Sequence, residues 1–582
     1  MLTYTPPSNV SSTSNHRKPY LLWLLVFVWL WPGVFAHDLW SIDEAHLFTV
    51  IEQWQADRWA IPTFFGQADW TSSPLYVWLG VLSQSVLTPW LKDAFAAVRM
   101  VNVLLTVLSL ACIGGAARSF IGRGSGRFAV LILIGCPGLL TPAHFMSTLP
   151  PLLAGCAMCL YGLSLARTRV MMACLMLGGG WVVLSVSGSL LLPLLMMLSV
   201  GLLWFHPFWR YRRFGLVLGI ALFLTPLSET VYHRRLGLVF GIALLWSVPL
   251  MLIWPLALWQ TDAALFHQWL RFHLFEPFGG LGEWQMRFSL GYYLKNLLWF
   301  AFPAWPLAIW TAWRLPLMRC DWGVFCVYWL ALFGVFFALL PLQFQDLLVL
   351  LLPPLALIGA AKLDALRRGA AAFLNWFGVM TFSLLAVFLW LGFFAMNYGW
   401  PTKLAERSAY FSPYYRVDID YFPLLVALAG MILWLWAMTR KHIRARQAVT
   451  NWAAGITLVW TLLLTLFLPW LDAAKSQRPV VQHIQQVFNS DEVALLQQGS
   501  ECVSINRTDY PIRIAWRQYG WLKLDTDNTY CNYRLVNRSP NQTADSGWRE
   551  IIAGARPREK QHIWALWQRI DAAPNLTTEQ KP

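Results

Sequence analysis

The chain has 582 residues, 57% of them hydrophobic and only 13% charged, and carries a net charge of +15. Soluble globular chains carry about 25% charged residues, so this deficit excludes an ordinary water-soluble domain and points to repeated membrane crossings. The basic residues sit in short loops between apolar runs. That distribution sets orientation in a membrane and forms no groove for nucleic acid, which is excluded as a partner.

In chain order, a polar segment ending in His16-Arg17-Lys18 makes residues 1–20 a cytoplasmic N-terminus. The apolar run 21–36 is the first span, left uncleaved, and puts the following loop 37–73 outside. Further spans are expected near 100–117, 129–145, 149–165, 171–187, 189–204, 236–258, 293–313, 322–341, 347–361, 372–396, 421–438 and 453–471. A crossing takes roughly 17–20 apolar residues, so the membrane domain 21–471 is read as about 13 transmembrane helices. The clusters Arg118/Arg123/Arg127, Arg167/Arg169, Arg210/Arg212/Arg213 with Arg234/Arg235, Arg314/Arg319, Lys362/Arg367/Arg368 and Arg440/Lys441/Arg444/Arg446 then share one side. Loops 37–73, 259–292 and 397–420 fall on the other side with the tail 472–582. This arrangement requires that 74–91 and 214–227 do not cross. A short repeat, Arg212–Phe223 echoed by Arg234–Leu245, reads as a small tandem duplication without a function of its own.

From 472 the composition turns polar. The stretch DAAKSQRPVVQHIQQVF reads as an amphipathic helix, and alternation at Tyr533–Val536 reads as a strand. These 111 residues suffice for one small external α+β domain. Seven cysteines lie in or beside apolar segments, where burial is the plain reading. Cys502 and Cys531 stand alone in the polar tail and can pair there in an oxidising compartment.

Loop 37–73 carries adjacent carboxylates, Asp43 and Glu44, at the mouth of the first span. Ionisable groups near a membrane span are costly and tend to be functional. If 41–58 is helical, Asp43 and His46 share a face at i, i+3. Such a carboxylate can act as a general base or help hold a divalent cation. Ser41 and Glu44 also form an S-x-x-E capping box, which accounts for those two residues but leaves Asp43 over. Loop 259–292 holds His267, Arg271, His273, Glu276, Glu283 and Arg287, with Lys295 just beyond it. Its cations can receive a phosphate group or simply anchor an interfacial helix. A secondary transporter would need paired half-repeats and ionisable groups at mid-span. The acids gather instead at the outer mouth.

The span, the external D-E pair and Ser72-Ser73-Pro74-Leu75-Tyr76-Val77-Trp78 about thirty residues later resemble the GT-C class of membrane glycosyltransferases. The nearest group is the lipid A aminoarabinose transferases and bacterial protein mannosyltransferases. NLLWFAFPAWPLAIW, LQFQDLLVLLLPPLALIGA and Lys475-Ser476 resemble later motifs of that group. The resemblance implies an all-α polytopic GT-C-like fold with a small α+β periplasmic domain, in a bacterial inner membrane. It implies transfer, with inversion, of a sugar from a polyprenyl-phosphate carrier to a lipid or protein acceptor. Asp43 would be the catalytic carboxylate, and Glu44 would support it or bind a divalent metal. His46, Arg58, Tyr76, Arg271 and Lys295 are the substrate-binding candidates. Several family charges are absent: Thr71 and Ser72 stand where an acid and a lysine are expected, and Leu149 where a second acid is expected. A basic residue before the L-P-x-x-P segment is replaced by Gln343 or Gln345. These departures leave two readings, a transferase using other cations and a lipid-binding protein on an inactive scaffold.

Overall fold

The computed structural model describes residues 20–210, 231–282, 284–417, 419–439 and 445–570, with backbone alone at 204–210 and 231–234. Most of it is helical, and a separate α+β unit follows the last long helix. The expected non-crossing segment 214–227, the first copy of the repeat, residues 1–19, Glu283 and Arg440/Lys441/Arg444 lie outside the described residues.

Apolar runs become helices that bury their faces in one continuous core, with Trp29, Trp181, Trp329 and Phe333 fully enclosed. Seven helices among the described residues are long and apolar enough to cross a membrane, and an eighth is counted if a bent pair is one span. Four shorter apolar helices, Tyr20–Leu30, Leu149–Leu165, Leu191–Leu203 and Gln345–Ala361, also coincide with expected spans. Two expected spans are interrupted where proline removes a backbone donor. The segment 129–145 bends by 76° between Ser125–Ile134 and Pro137–His144. The segment 293–313 is two helices, Leu290–Phe300 and Ala304–Arg314, parted at Pro303. Pro74–Leu91 is a helix packed on Ala94–Phe120 and is not among those apolar enough to span.

The helix expected at 41–58 ends earlier, at Glu52. Gln53 turns out of it, and its side-chain oxygen accepts from the Phe65 N–H (2.6 Å), fixing a small hairpin of β1 (Thr63–Phe64) and β2 (Gln67–Ala68). The amphipathic helix expected from 472 is likewise two, Leu468–Lys475 and Arg478–Gln485. Ser476 breaks the run and accepts from the Arg478 N–H (3.0 Å).

In the C-terminal unit, β3 (Val503–Ile505), β4 (Leu524–Thr526), β5 (Tyr533–Arg538), β6 (Trp548–Gly554) and β7 (Ile563–Arg569) form one mixed sheet in the order β4-β3-β5-β7-β6. Strands β3, β4 and β5 run parallel, whereas β7 is antiparallel to β5 and β6. Alternation on β5 puts Tyr533 and Leu535 against Val481, Ile484, Ile512 and Trp516. Cys502 and Cys531 are joined as a disulfide at the edge of this core.

Candidate functional site

The helix Ile42–Glu52 starts where Ser41 accepts a hydrogen bond from the Glu44 N–H (3.0 Å). The Glu44 carboxylate reaches back past the cap and accepts from the Trp40 N–H (3.2 Å). Its other oxygen receives Arg99 Nε (3.0 Å) and the Met146 N–H (3.3 Å). Arg99 Nη1 and Nη2 donate to the carbonyls of His37 and Asp38, each at 2.9 Å. The side chains of Arg99 and Glu44 are 0% and 1% exposed. Both charges are therefore saturated by fixed partners, which is what lets them stay buried. This lock sets the path of the loop before Asp43, gives each Glu44 oxygen a fixed donor and balances its charge with Arg99.

Asp43, one residue earlier, is on the exposed face of the same turn and has no hydrogen-bond or ion-pair partner among the described residues. It lies close enough to Asp346 for the two carboxylates to repel each other. One turn on, His46 Nε2 stands 3.3 Å from Asp69 and 3.3 Å from Thr71 Oγ, with its ring against Phe64. Asp69 accepts from the Thr71 hydroxyl (2.8 Å) and the Ser72 N–H (3.2 Å). Burial opposes its charge, but the bonds from His46, Ser72 and Thr71 outweigh it and hold the carboxyl below its usual range. Thr71 and Ser72, where charges were expected, thus serve to orient Asp69.

Loop 259–292 reaches this point from its own side. From the helix before it, Trp254 Nε1 donates to the Ala60 carbonyl (2.9 Å), and within the loop His273 stacks on Trp70 with centroids 5.1 Å apart. Glu276 is 4.0 Å from His273. Part of its side chain stays accessible, yet surrounding protein and then the Asp69 charge push its carboxyl up to about 7.

The other expected site residues are placed differently. Tyr76 has no accessible surface; its hydroxyl donates to Asn102 Oδ1 (2.5 Å), tying Pro74–Leu91 to Ala94–Phe120 instead of facing a ligand. Arg58, Arg271 and Lys295 are exposed cations, Arg271 resting over its neighbour Phe272. Leu149 opens a helix and is half-buried against the main core. Among the described residues, the one group of three donors close enough for a metal is Cys502, Asp525 and Cys531, and its sulfurs are already bonded to each other. The residues present therefore do not fit a metal held by Glu44.

Arg99, Asp69 and Glu276 were not singled out as site residues from sequence. The signal for Arg99 was a lone arginine opening an apolar run on the side otherwise poor in such clusters. For Asp69 and Glu276 no local signal existed, because their roles arise where two distant loops meet.

The C-terminal unit closes over the first loop. Asp38 accepts from Ser476 Oγ (2.8 Å) and from Arg478 Nη2 (2.6 Å). Asp472 accepts from the Asp38 N–H (3.1 Å) and Trp40 Nε1 (2.6 Å). Burial, and then the charge of Asp38, raise the Asp472 carboxyl to about 6. The helix Tyr510–Tyr519 adds Tyr519 against the Leu39 N–H (3.0 Å), and Gln518 on Glu52 (2.7 Å).

No protein-family model matches this sequence, and no curated protein does. Among solved structures, the apo form of ArnT from Cupriavidus metallidurans matches with a TM-score of 0.59 and 15% identity, covering 94% of this chain and 96% of that one. The same protein bound to undecaprenyl phosphate matches with a TM-score of 0.56 and 16% identity, over 94% and 96% of the two chains. At this identity the likeness speaks for architecture: the chain has the GT-C fold, a helical membrane domain followed by a small α+β unit.

Proposed function

We propose that this protein is an integral membrane glycosyltransferase. It moves a sugar from a polyprenyl-phosphate carrier to a lipid or protein acceptor at the periplasmic face of a bacterial inner membrane. The observation that carries this reading is Asp43: an unpaired carboxylate at the end of a span, on a loop held rigid by the Glu44–Arg99 lock. In the proposed reaction Asp43 orients the acceptor and takes its proton as the acceptor atom bonds to the anomeric carbon. The bond from that carbon to the phosphate oxygen breaks, and the pair of electrons leaves with the polyprenyl phosphate. Exposed Arg58, Arg271 and Lys295 are assigned to the charge of the leaving phosphate, which charge-assisted bonds stabilise. His46, fixed by Asp69, is assigned to the sugar. The fold shared with a protein seen holding undecaprenyl phosphate supports a lipid-phosphate carrier. The disulfide in the C-terminal unit supports an oxidising compartment for it.

A second reading, an inactive scaffold that binds lipid-linked glycans or assists envelope assembly, is favoured by Thr71, Ser72 and Leu149 standing where family charges are expected. Mass spectrometry of glycolipid and glycoprotein fractions from cells with and without the gene separates the two. A sugar-sized mass missing from one acceptor in the deletion supports the transferase. An unchanged acceptor pool, with donor present, supports the scaffold.

A further inference from the structure

The sheet of the C-terminal unit uses its two faces differently. Tyr533 and Leu535 point to the helices, so alternation along β5 turns Arg534 to the other face. Its register partners there are Ser504 on β3 and Trp567 on β7. Arg569, next but one after Trp567, shares that face and pairs with Trp548 at the start of β6. An open cavity of about 340 Å³ lies among these side chains. That is at the low end of the roughly 300–1,000 Å³ of small-molecule sites.

Strand order makes the cavity. The chain leaves β3 for β4 on one side and returns to β5 on the other, so the segment 527–532 crosses β3. Such a reversal at the carboxyl ends of parallel strands leaves a crevice in open α/β sheets. Asp527 and Asn528 line it from the crossing segment, and Ser504 and Asn506 from β3 and the residue after it. The Cys502–Cys531 bond ties the segment to the start of β3. Asp527 holds a left-handed backbone (φ 54°), its N–H donates to the Ile505 carbonyl (2.9 Å), and Oδ1 accepts from the Arg507 N–H (3.1 Å). These bonds fix the polar groups before any ligand arrives.

Hydrogen-bonding atoms remain open at the surface of the cavity. Asp527 keeps its second oxygen, and the Ser504 hydroxyl has no partner among the described residues. Asn506 Oδ1 takes the Thr508 N–H (3.0 Å), which leaves its amide hydrogens over. Arg569 Nη2 donates to the Thr529 carbonyl (2.8 Å) and Arg534 pairs with Asp545 (3.3 Å), yet each guanidinium has further donors. Two arginines stand against Asp527 and Asp545, so the charge cancels. That balance gives an anion no advantage and suits a neutral ligand whose groups both donate and accept. Trp548 adds a flat wall, held by Arg569 over its ring (5.5 Å), and Tyr530, beside the lining Thr529, is 87% exposed. A pyranose matches this set, with hydroxyls around its rim and an apolar C–H face for an aromatic ring.

The site is tied to the loop that carries Asp43. The Arg507 carbonyl accepts from Arg513 (2.8 Å), whose guanidinium lies over Phe65 in the turn of the β1–β2 hairpin (3.9 Å). We propose that this cavity binds a neutral saccharide unit of an acceptor glycan, with Asp527, Asn506 and Ser504 on its hydroxyls and Trp548 against its ring. The proposal rests on the transferase reading only in making that saccharide part of the acceptor.

The test is saturation-transfer NMR on the purified full chain, in a detergent without a sugar headgroup. The probes are the methyl glycosides of neutral hexoses, pentoses, deoxyhexoses and N-acetylhexosamines, and a neutral tetrapeptide. At least one glycoside is expected to bind the wild type, and at least fivefold more weakly Asp527→Gly and Trp548→Ala. Glycine suits the left-handed backbone at 527, so the first variant removes the carboxylate without straining the fold. Arg549→Ala, altered at the exposed residue that follows Trp548 and points to the opposite face, should bind as the wild type does. No glycoside signal that depends on Asp527 and Trp548 would overturn the site. Binding of the tetrapeptide alone, with that dependence, would overturn the ligand class. Loss of glycoside binding in Asp527→Gly with full acceptor modification in cells would overturn the acceptor role. Asp43→Asn, which tests the transfer reaction, leaves the NMR result unchanged, so the two proposals fail separately.

Discussion

Asp43 and Glu44 are neighbours in sequence and opposites in surroundings. Glu44 turns inward, where Arg99 and two backbone N–H groups take up its oxygens. Asp43 turns outward, with the Asp346 carboxylate near enough to repel it, while Asp69 and Glu276 face each other where the two large loops meet. One residue's step along a helix rotates the side-chain direction by about 100°. That rotation divides the pair into a structural carboxylate and a free one. Glu44 fixes the backbone that presents Asp43 to the outside.

The closed side is open to the strongest attack. Arg99→Met leaves Glu44 as a buried charge without its partner and should cost about 3–5 kcal/mol. This is read as a fall in the thermal midpoint of the purified protein in detergent. Arg99→Lys should rescue little, since one ammonium cannot replace a guanidinium fork that reaches Glu44 and two carbonyls. A midpoint like that of the wild type in either variant would break the comparison. Leu149→Ala asks whether an acid is missed at the position where the transferases this chain resembles carry one. It should cost about 1–2 kcal/mol of packing, less than for a fully buried leucine, and leave turnover intact.

Glu276 gives the open side a pH dependence. Its carboxyl is raised to about 7, so the group is protonated below that pH and adds a negative charge beside Asp69 above it. The KM for a phosphate-bearing donor should therefore rise from pH 6 to 8, by no more than a few-fold because nearly half of the Glu276 side chain faces screening solvent. In Glu276→Gln the profile should be flat. Asp472 gives the smallest effect. Its folded pKa, about 6, lies above the unfolded value, so its contribution is fully present at low pH and is lost as pH rises through 6. Asp472→Asn keeps an oxygen for Trp40 and the Asp38 N–H, and its melting temperature should fall less between pH 5 and 7 than that of the wild type.

Much of the architecture was legible because membrane helices announce themselves by local composition. Runs such as 372–396 and 421–438 lie inside single helices. The D-E pair and the Cys502–Cys531 bond were readable for a similar reason, standing out against their surroundings. Partnership was harder to read. Glu44 finds Arg99 across 55 residues, and Asp38 finds Arg478 across 440. Tyr76 shows the limit of motif reading: its place in the resemblance suggested a ligand contact, but burial gives its hydroxyl to Asn102. The breaks at Cys136-Pro137, Pro303 and Ser476 were missed because hydropathy averages over the residues that interrupt a helix.

The most direct test of the central claim compares Asp43→Asn with Glu44→Gln, measuring for each the thermal midpoint and the glycan mass on the acceptor in cells. The account predicts that Asp43→Asn melts like the wild type and leaves the acceptor unmodified, whereas Glu44→Gln loses stability and modification together. Full modification by Asp43→Asn, at normal protein levels, would contradict it.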